Sequence, residues 1–409
     1  MKTHKHILVC AVLATAWSTG VVYASPQSTT ATVTMGNTAA TAYNIIAVQG
    51  DTKEAVVGIK AGKAIVYVTG NGTIATTALP GEYKTSATGI DSTHVIATEV
   101  GQPGQELVLQ ASAESGSQIT PSDTDILNLN SYATGLIAGE IEGNVHISAS
   151  ATGGNADNEK KAGSSVKAWA IGMAEQSTIK GNAKMNIKAT GGYAYSGSVN
   201  IDTEALAYGL YKGDNIITGD ADITVEAVGG TPYPRIKGTA LACGMYALNG
   251  TQTIKGNVKI KASASTSFQA GYQFNAYSLA AIKSGAEQGS NDLSTSGTVK
   301  QLEGDLYAEG GGVNKLTLDT AASYLQGNII TDEDSTNLLT LANGGTWRPV
   351  YDNRYGTDCV DNMQYNCAEK NIATNTVQER TAPALTLQQG GVVDLTWDKL
   401  KRTGSYRNL

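Results

Sequence analysis

The segment Ile141-Glu-Gly-Asn-Val-His-Ile-Ser-Ala149 alternates apolar with polar residues, and similar segments recur three more times along the middle of the chain. The other copies are Ile179-Lys-Gly-Asn-Ala-Lys-Met-Asn-Ile-Lys-Ala189, Ile217-Thr-Gly-Asp-Ala-Asp-Ile-Thr-Val-Glu-Ala227 and Ile254-Lys-Gly-Asn-Val-Lys-Ile-Lys-Ala262. Their glycines lie at 143, 181, 219 and 256, so the steps are 38, 38 and 37 residues. A fixed period with two-residue alternation is typical of stacked β-units in a solenoid.

Two further copies are predicted downstream. Leu302-Glu-Gly-Asp-Leu-Tyr-Ala308 is a degenerate fifth copy, and Gly327-Asn328 marks a sixth. A second signature, also ending in glycine, lies upstream of each of the first four copies: Tyr132-Ala-Thr-Gly135, Ala168-Trp-Ala-Ile-Gly172, Ala205-Leu-Ala-Tyr-Gly209 and Ala240-Leu-Ala-Cys-Gly244. One unit therefore contains at least two strands joined by turns.

The alternation predicts an apolar face in the core and a polar face in solvent. The outward charges change sign from copy to copy, in the order Glu142; Lys180, Lys184 and Lys188; Asp220, Asp222 and Glu226; Lys255, Lys259 and Lys261; Glu303, Asp305 and Glu309. Equivalent strands of directly stacked coils lie about 4.8 Å apart, where opposite charges attract. The pattern favours one coil per unit over two smaller coils, which would separate these charges by about 9.6 Å.

The Gly-Asn or Gly-Asp pair of each copy is the predicted turn of the repeat. Stacking would align the four polar side chains in a ladder, where each can bond backbone groups of the next coil. The predicted turn positions are Gly143, Asn144, Gly181, Asn182, Gly219, Asp220, Gly256 and Asn257.

Four regions are predicted along the chain. Residues 1–24 form a signal peptide, because Lys2 and Lys5 precede an apolar stretch and Val22-Tyr-Ala24 is a small-residue cleavage site. Residues 25–125 form an irregular N-terminal β-solenoid, residues 126–330 the repeat solenoid, and residues 331–409 a C-terminal cap with a cysteine loop. The predicted fold class is all-β: a single-stranded parallel right-handed β-helix with repeats of about 37 residues.

The composition fits that fold and limits the partners. There are 47 glycines and 19 tyrosines but only 2 phenylalanines, which is typical of strands and turns. A net charge of −7 argues against nucleic acid as a partner. Cys359 and Cys367 are predicted to form a local disulfide, as expected in an exported protein, with zinc binding as the alternative. Cys243 is predicted to be a small buried core residue.

Two copies of a different motif lie near the C-terminus, Leu338-Leu-Thr-Leu-Ala-Asn-Gly-Gly-Thr-Trp347 and Ala384-Leu-Thr-Leu-Gln-Gln-Gly-Gly-Val-Val-Asp-Leu-Thr-Trp397. Together with Tyr406-Arg-Asn-Leu409, they resemble the C-terminal stretch of autotransporter passenger domains, the pertactin-like region that caps the β-helix before the membrane barrel. The internal repeats resemble those of the same secreted proteins. The resemblance implies export, display at the cell surface or release outside the cell, and an outer-membrane translocator barrel as partner.

The barrel itself is not expected within this sequence. Autotransporters continue into a barrel of alternating lipid-facing strands, whereas the given sequence stops at Leu409, where that barrel would begin. The barrel partner is therefore expected to be encoded separately or to be missing.

Groups suited to catalysis are few. His94 and His146 are the only histidines after the leader, and His146 shares the strand position of Lys184, which predicts a solvated side chain. Asp123-Thr-Asp125 and Asp332-Glu-Asp334 are interpreted as turns, with calcium binding as the alternative. No catalytic, cofactor-binding or metal-binding residue is predicted, and no cofactor.

The predicted function is that of a secreted or surface-displayed passenger with a structural or adhesive role, an adhesin and not an enzyme. A host or matrix surface ligand is the expected partner. Tyrosines predicted to lie in loops between strands are candidates for that contact: Tyr193, Tyr195, Tyr233, Tyr272 and Tyr277. The alternatives are a β-helix enzyme that degrades polysaccharide and a truncated autotransporter fragment without activity.

Overall fold

The computed structural model describes residues 30–35, 41–47, 56–61, 63–68, 72–78, 84–92, 96–100, 106–116, 118–119, 127–158, 164–196, 201–233, 237–266, 272–332, 334–350 and 384–395. These residues contain strands β1 to β35, numbered in chain order, and no helix. The strands pair with one another in parallel throughout this described part of the chain. The predicted all-β parallel β-helix is confirmed.

Three long sheets run along the molecule. The eleven-stranded sheet contains β2 (Thr41–Ala47), β5 (Gly72–Ala78), β8 (Glu106–Glu114), β12 (Asn144–Thr152), β16 (Ala183–Thr190), β20 (Ala221–Gly229), β24 (Val258–Thr266), β27 (Lys300–Glu303), β30 (Tyr324–Gln326), β33 (Thr346–Arg348) and β35 (Val392–Val393). The nine-stranded sheet contains β3 (Val56–Ala61), β6 (Lys84–Ser92), β10 (Leu127–Ile137), β14 (Ser164–Ala174), β18 (Ile201–Tyr211), β22 (Lys237–Leu248), β25 (Tyr272–Ile282), β28 (Asp305–Glu309) and β31 (Ile329–Thr331). The eight-stranded sheet contains β11 (Glu140–Ile141), β15 (Thr178–Ile179), β19 (Asn215–Ile217), β23 (Gly250–Ile254), β26 (Gly289–Leu293), β29 (Val313–Leu318), β32 (Thr336–Leu341) and β34 (Ala384–Leu387).

Two smaller sheets complete the described strands. A three-stranded sheet contains β1 (Thr30–Met35), β4 (Lys63–Val68) and β7 (Ile96–Val100). A four-stranded sheet contains β9 (Gln118–Ile119), β13 (Asn155–Asn158), β17 (Tyr193–Ser196) and β21 (Thr231–Tyr233).

One repeat unit makes one coil. The chain passes through β10, β11, β12 and β13 before β14 pairs with β10. Val145 of one unit therefore lies beside Ala183 of the next, and Ala183 lies beside Ala221 of the unit after that. The prediction that units stack directly, without an intervening coil, is confirmed.

The core lies inside the three long sheets and is built from identical positions of successive coils. In β12 every second residue is buried. Its Ile147 belongs to a column of fully buried side chains that contains Leu109, Ile147, Met185, Ile223, Ile260 and Leu302. Burying each such side chain contributes about 1.5–3 kcal/mol, so the hydrophobic effect holds the coils together.

A row of buried amides runs along the start of the eight-stranded sheet. Asn215, Gln252, Asn291, Asn314 and Asn337 pair in register and are all 0% exposed. Asn291 Nδ2 donates to Asn314 Oδ1 at 2.7 Å, and Asn314 Nδ2 donates to Asn337 Oδ1 at 2.7 Å. These bonds satisfy polar groups that would otherwise be costly to bury.

The coil shortens after β27, where β30 pairs with β27 and β33 pairs with β30. In the row of buried amides, Asn215 and Gln252 are separated by 37 positions of sequence. The equivalent pair Asn314 and Asn337 is separated by only 23 positions. The reason is a tighter corner: Gly304, with a φ of 128°, joins β27 directly to β28. In the longer coils that corner instead holds an excursion through the four-stranded sheet.

The alignment of the predicted fifth copy is therefore wrong. Leu302 pairs with Ile260 in the eleven-stranded sheet, whereas Ile254 of the fourth copy lies in the eight-stranded sheet. The residue stacked on Gly256 is Gly297, whose N–H donates to the Gly256 carbonyl at 2.8 Å. The Gly-Asp pair at 304–305 resembles the repeat turn but occupies a different corner of the coil.

The two ends of the described chain depart from the period of the central repeats. Near the N-terminus, Thr41 pairs with Gly72 and Gly72 pairs with Leu107, which are shorter steps. Near the C-terminus, Leu339 pairs with Leu385, which is a longer step. Residues 351–383, including Cys359 and Cys367, lie outside the described residues, as does the signal peptide.

Candidate functional site

Opposite charges face each other across neighbouring coils on the outer face of the eleven-stranded sheet. Lys188 Nζ lies 3.1 Å from Glu226 Oε2, and Lys259 Nζ lies 3.2 Å from Asp222 Oδ2. Because these side chains are close to half exposed, each pair contributes about 0.2–1 kcal/mol. The sign alternation predicted from the sequence is thus a contact between adjacent coils for these pairs. The prediction is wrong for Asp305 and Glu309, which lie in β28 of the nine-stranded sheet.

The predicted turn residues stack at the corner that precedes this sheet. The Asn182 N–H donates to Asn144 Oδ1 at 2.9 Å, the Asp220 N–H to Asn182 Oδ1 at 2.8 Å, and the Asn257 N–H to Asp220 Oδ1 at 2.7 Å. The Val299 N–H ends the row by donating to Asn257 Oδ1 at 2.9 Å. We call the side chains of Asn144, Asn182, Asp220 and Asn257 the Asx ladder.

The glycines beside the Asx ladder have a steric cause. A Cβ on Gly219 would lie 2.6 Å from the carbonyl carbon of Gly181 in the preceding coil. A Cβ on Gly181 would likewise collide with the backbone of Gly143, and a Cβ on Gly256 with the backbone of Gly219. Backbones of adjacent coils approach too closely here for any side chain, so the ladder requires glycine at each step.

A shallow groove of about 480 Å³ runs along the Asx ladder on the outer face. We call it the Asx groove, and its lining residues are Asn144, Asn182, Ala183, Lys184, Asp220, Ala221, Asp222, Asn257, Val258, Lys259, Val299 and Gln301. The ladder uses only one atom of each side chain as an acceptor. Within the described residues, the amide nitrogens of Asn144, Asn182 and Asn257 bond no protein acceptor, so they remain available to a ligand.

The charges of the Asx groove balance. Lys184 and Lys259 oppose Asp220 and Asp222, and the Asp222–Lys259 pair is in contact at 3.2 Å. Lys184 makes no ion pair with any described residue. The groove therefore offers one ammonium group, several amide donors and carboxylate acceptors, but no net charge.

The residues considered for catalysis or metal binding are dispersed. His146 lies on the outer face, where its Nε2 is 3.0 Å from Asn186 Nδ2. Asp332 Oδ2 accepts the Gly310 N–H at 2.6 Å, which is a turn contact between coils. Among the described residues, no three His, Cys, Asp or Glu side chains gather in a group able to hold a metal ion. His94 and Asp123-Thr-Asp125 lie outside the residues for which side chains are described.

A second polar ladder step lies at the tighter corner. The Asn328 N–H donates to Asp305 Oδ1 at 2.7 Å, and a Cβ on Gly327 would collide with the Gly304 carbonyl. The two turns have similar sequences because the same local structure, a glycine followed by an Asx side chain that accepts a hydrogen bond, occurs at two corners of the coil.

The outer face of the nine-stranded sheet carries a continuous row of aromatic and aliphatic side chains, bordered by the Lys167–Glu204 ion pair. We call this surface the aromatic strip, and its members are Tyr132, Trp169, Ile171, Leu206, Tyr208, Tyr211, Leu241, Tyr246, Tyr277, Tyr307 and Ile330. The rings of Tyr211 and Tyr246 stack at 5.6 Å, and those of Tyr277 and Tyr307 stack at 4.7 Å. Because the rings pack against each other, they cover much of their own surface.

Burial in the aromatic strip changes the acidity of its members. Tyr208 is 4% exposed, and burial raises its pKa well above the usual tyrosine value of 10.0. Burial also raises the pKa of Tyr211, and Glu175 adds to the effect. At the border of the strip, burial by itself would lower the pKa of Lys167. The hydrogen bond from its Nζ to Glu204 Oε1 at 2.9 Å and the negative charges of Glu204 and Asp202 together outweigh burial, and the pKa is raised.

Cys243 is buried as predicted, but it does not lie in the interior core. It is 0% exposed beneath the aromatic strip, beside Tyr208 and Tyr277 in register. Burial raises the pKa of its thiol, so the reactive thiolate is disfavoured.

The prediction that five tyrosines lie in loops is wrong. Tyr193 and Tyr195 lie in β17, Tyr233 in β21, and Tyr272 and Tyr277 in β25. Sequence reasoning also missed the aromatic strip, although a signal was present. In Ala205-Leu-Ala-Tyr-Gly209 both alternate sets are apolar, which is typical of a strand covered on both faces.

Comparison of the chain with family models, with curated proteins and with solved structures finds no match. No helix long and apolar enough to cross a membrane occurs in the described part of the chain.

Proposed function

We propose that this chain is an exported passenger, displayed at or released from the cell surface, with an adhesive or structural role. The observation that carries the proposal is the repetition of identical outward groups in consecutive coils, seen in the Asx ladder and in the charge pairs beside it. A surface that repeats every coil, about 4.8 Å, suits contact with an extended ligand at several points at once.

The C-terminal motifs add support. The two copies stack as consecutive coils, with Leu339 beside Leu385 and Trp347 beside Val393. The described residues of both motifs, up to Leu395, thus form the last described coils of the solenoid. On this proposal a translocator barrel in the outer membrane is the export partner.

Export and attachment can be tested separately. The full chain is expressed in a Gram-negative bacterium with and without a supplied translocator barrel. The proposal expects a mature N-terminus at Ser25, protease-accessible protein on the outside when the barrel is present, and increased attachment of these cells to matrix-coated surfaces. Retention of the leader would contradict export, and display without increased attachment would contradict the adhesive role.

A polysaccharide-degrading enzyme is the second candidate, because the Asx groove places Asp220 and Asp222 on an outer face beside Lys184. Release of reducing sugar from polysaccharide by the purified chain would support this candidate. It would also remove the basis for a purely adhesive role.

A further inference from the structure

The Asx groove presents the same kinds of polar group once in every coil. The amide nitrogens of Asn144, Asn182 and Asn257 are donors, and Asp220 replaces the amide by a carboxylate in one coil. Gln301 and Lys184 line the same groove. A ligand lying along the solenoid axis therefore meets a regular row of donors and acceptors.

The spacing of that row discriminates between classes of ligand. Successive ladder positions are about 4.8 Å apart, because they belong to adjacent parallel strands. An extended peptide repeats its same-side groups only every two residues, about 6.7 Å, and would lose register within two coils. In a β-linked chain of pyranose rings each sugar advances by about one coil spacing, and successive sugars are turned over. Each coil therefore lies beside one sugar, and equivalent hydroxyl groups meet the row at every second coil.

The charge of the groove further restricts the class of ligand. Its two lysines and two aspartates cancel, and the whole chain carries −7. A polyanion would gain no attraction in the groove and would be repelled by the chain. Neutral sugar hydroxyls both donate and accept, which matches the mixed lining.

We infer that the Asx groove binds a neutral, linear glycan laid along the solenoid axis, with one sugar per coil. The inference rests on the proposed adhesive function and names the ligand class of that function. Asn182, in the middle of the row, bonds the sugar through its amide nitrogen while its oxygen holds the ladder bond to the Asp220 N–H.

The test is calorimetric titration of the purified mature chain. The probes are tetramers of β-linked glucose and of β-linked N-acetylglucosamine, with heparin and polygalacturonate as anionic probes. Asn182→Asp removes the amide donor and keeps the ladder acceptor. Asn186→Asp makes the same change in the adjoining strand β16, outside the groove. We expect binding of at least one neutral tetramer, weakened about tenfold by Asn182→Asp and less than about twofold by Asn186→Asp.

Each other outcome overturns the inference. Absence of binding by both neutral tetramers, tighter binding of an anionic probe, or equal weakening by the two variants would each do so. Circular dichroism and the urea midpoint of both variants establish that they are folded. If displayed cells still attach while no tetramer binds, the glycan assignment fails and the adhesive function stands. If the tetramer binds and cells do not attach, the adhesive function fails and the site stands.

Discussion

Single glycines and Asx side chains allow the close approach of successive coils. At Gly172, Gly209 and Gly244 a Cβ would collide with the backbone of the following coil. The same glycines change the alternation of their strands: Tyr208 and Tyr211 both face outward although they are three residues apart, while Ala207 and Leu210 face the core. One residue type therefore permits both the stacking and the aromatic strip.

Gly209→Ala tests this role. Its Cβ would lie 2.6 Å from Ile223 Cγ2 and would also contact the Gly244 carbonyl. We expect a loss of about 1–3 kcal/mol, because a packed core cannot absorb an extra methyl group without strain. The urea midpoint measures the loss, and Ser263→Ala at an exposed position is the control. Equal midpoints for the two variants would show that the coils are not so closely stacked.

The Asx ladder makes a second prediction. Asp220→Ala leaves the Asn257 N–H without its acceptor, whereas Asp220→Asn retains an acceptor oxygen in the same place. We expect Asp220→Ala to cost about 1 kcal/mol and Asp220→Asn to cost less than half of that. The comparison is made by urea denaturation and by hydrogen exchange of the Asn257 amide. Faster exchange in both variants alike would argue against the side-chain bond.

At the scale of strands, the outer faces of the sheets differ in kind. The eleven-stranded sheet stacks charges of alternating sign, while the nine-stranded sheet stacks rings. Both arrangements follow from parallel register, because each residue lies beside its equivalent in the next coil. Because of this register, residues that recur at equivalent positions of the sequence form continuous rows on the surface.

Reversal of one charge tests the register. Asp222 lies between Lys184 and Lys259, so Asp222→Lys places three like charges on adjacent strands. We expect destabilisation of about 1 kcal/mol at low salt, which high salt reduces. Adding Lys259→Asp to the same chain should restore part of the loss. Independence from salt, or no rescue, would contradict direct stacking of these strands.

The aromatic strip predicts the response to alkali. Burial raises the pKa values of Tyr208, Tyr211 and Tyr246 in the folded chain above the usual 10.0. The unfolded chain therefore ionises first, and the stability present below pH 10.0 falls as the pH rises toward the folded pKa values. The urea concentration at the midpoint of unfolding should not change with pH near neutrality and should fall above about pH 10.

Tyr208→Phe is the control for that response. It removes the most buried of these three hydroxyl groups while keeping the ring. The variant should lose less stability in alkali than the natural chain. Identical alkaline slopes for the two proteins would mean that the strip does not set the response.

For the whole molecule, the sequence predicts the features that repeat and misses those that change. The strand pattern, the coil length and the turn positions are the same in four consecutive units. A pattern seen four times is not a chance similarity, so these features could be predicted. The shorter coils after Lys300 are missed because Gly304-Asp305 looks like the repeat turn although it lies at another corner. The aromatic strip is missed because an apolar residue at every position does not show which side faces inward.

The account depends most on direct stacking of the repeat units, and a pair of engineered cysteines measures it. Lys184→Cys with Asp222→Cys places the two thiols on adjacent strands in register, within the Cα separation of about 4.4–6.8 Å that a disulfide needs. Lys184→Cys with Lys259→Cys places them two coils apart, about 9.6 Å. The two double variants and the natural chain, which carries Cys359 and Cys367, are oxidised under the same conditions. The crosslinked peptides of each are then identified by mass spectrometry.

Direct stacking predicts a crosslink between positions 184 and 222 and none between positions 184 and 259. A crosslink of the second pair alone, or of neither pair, would contradict it.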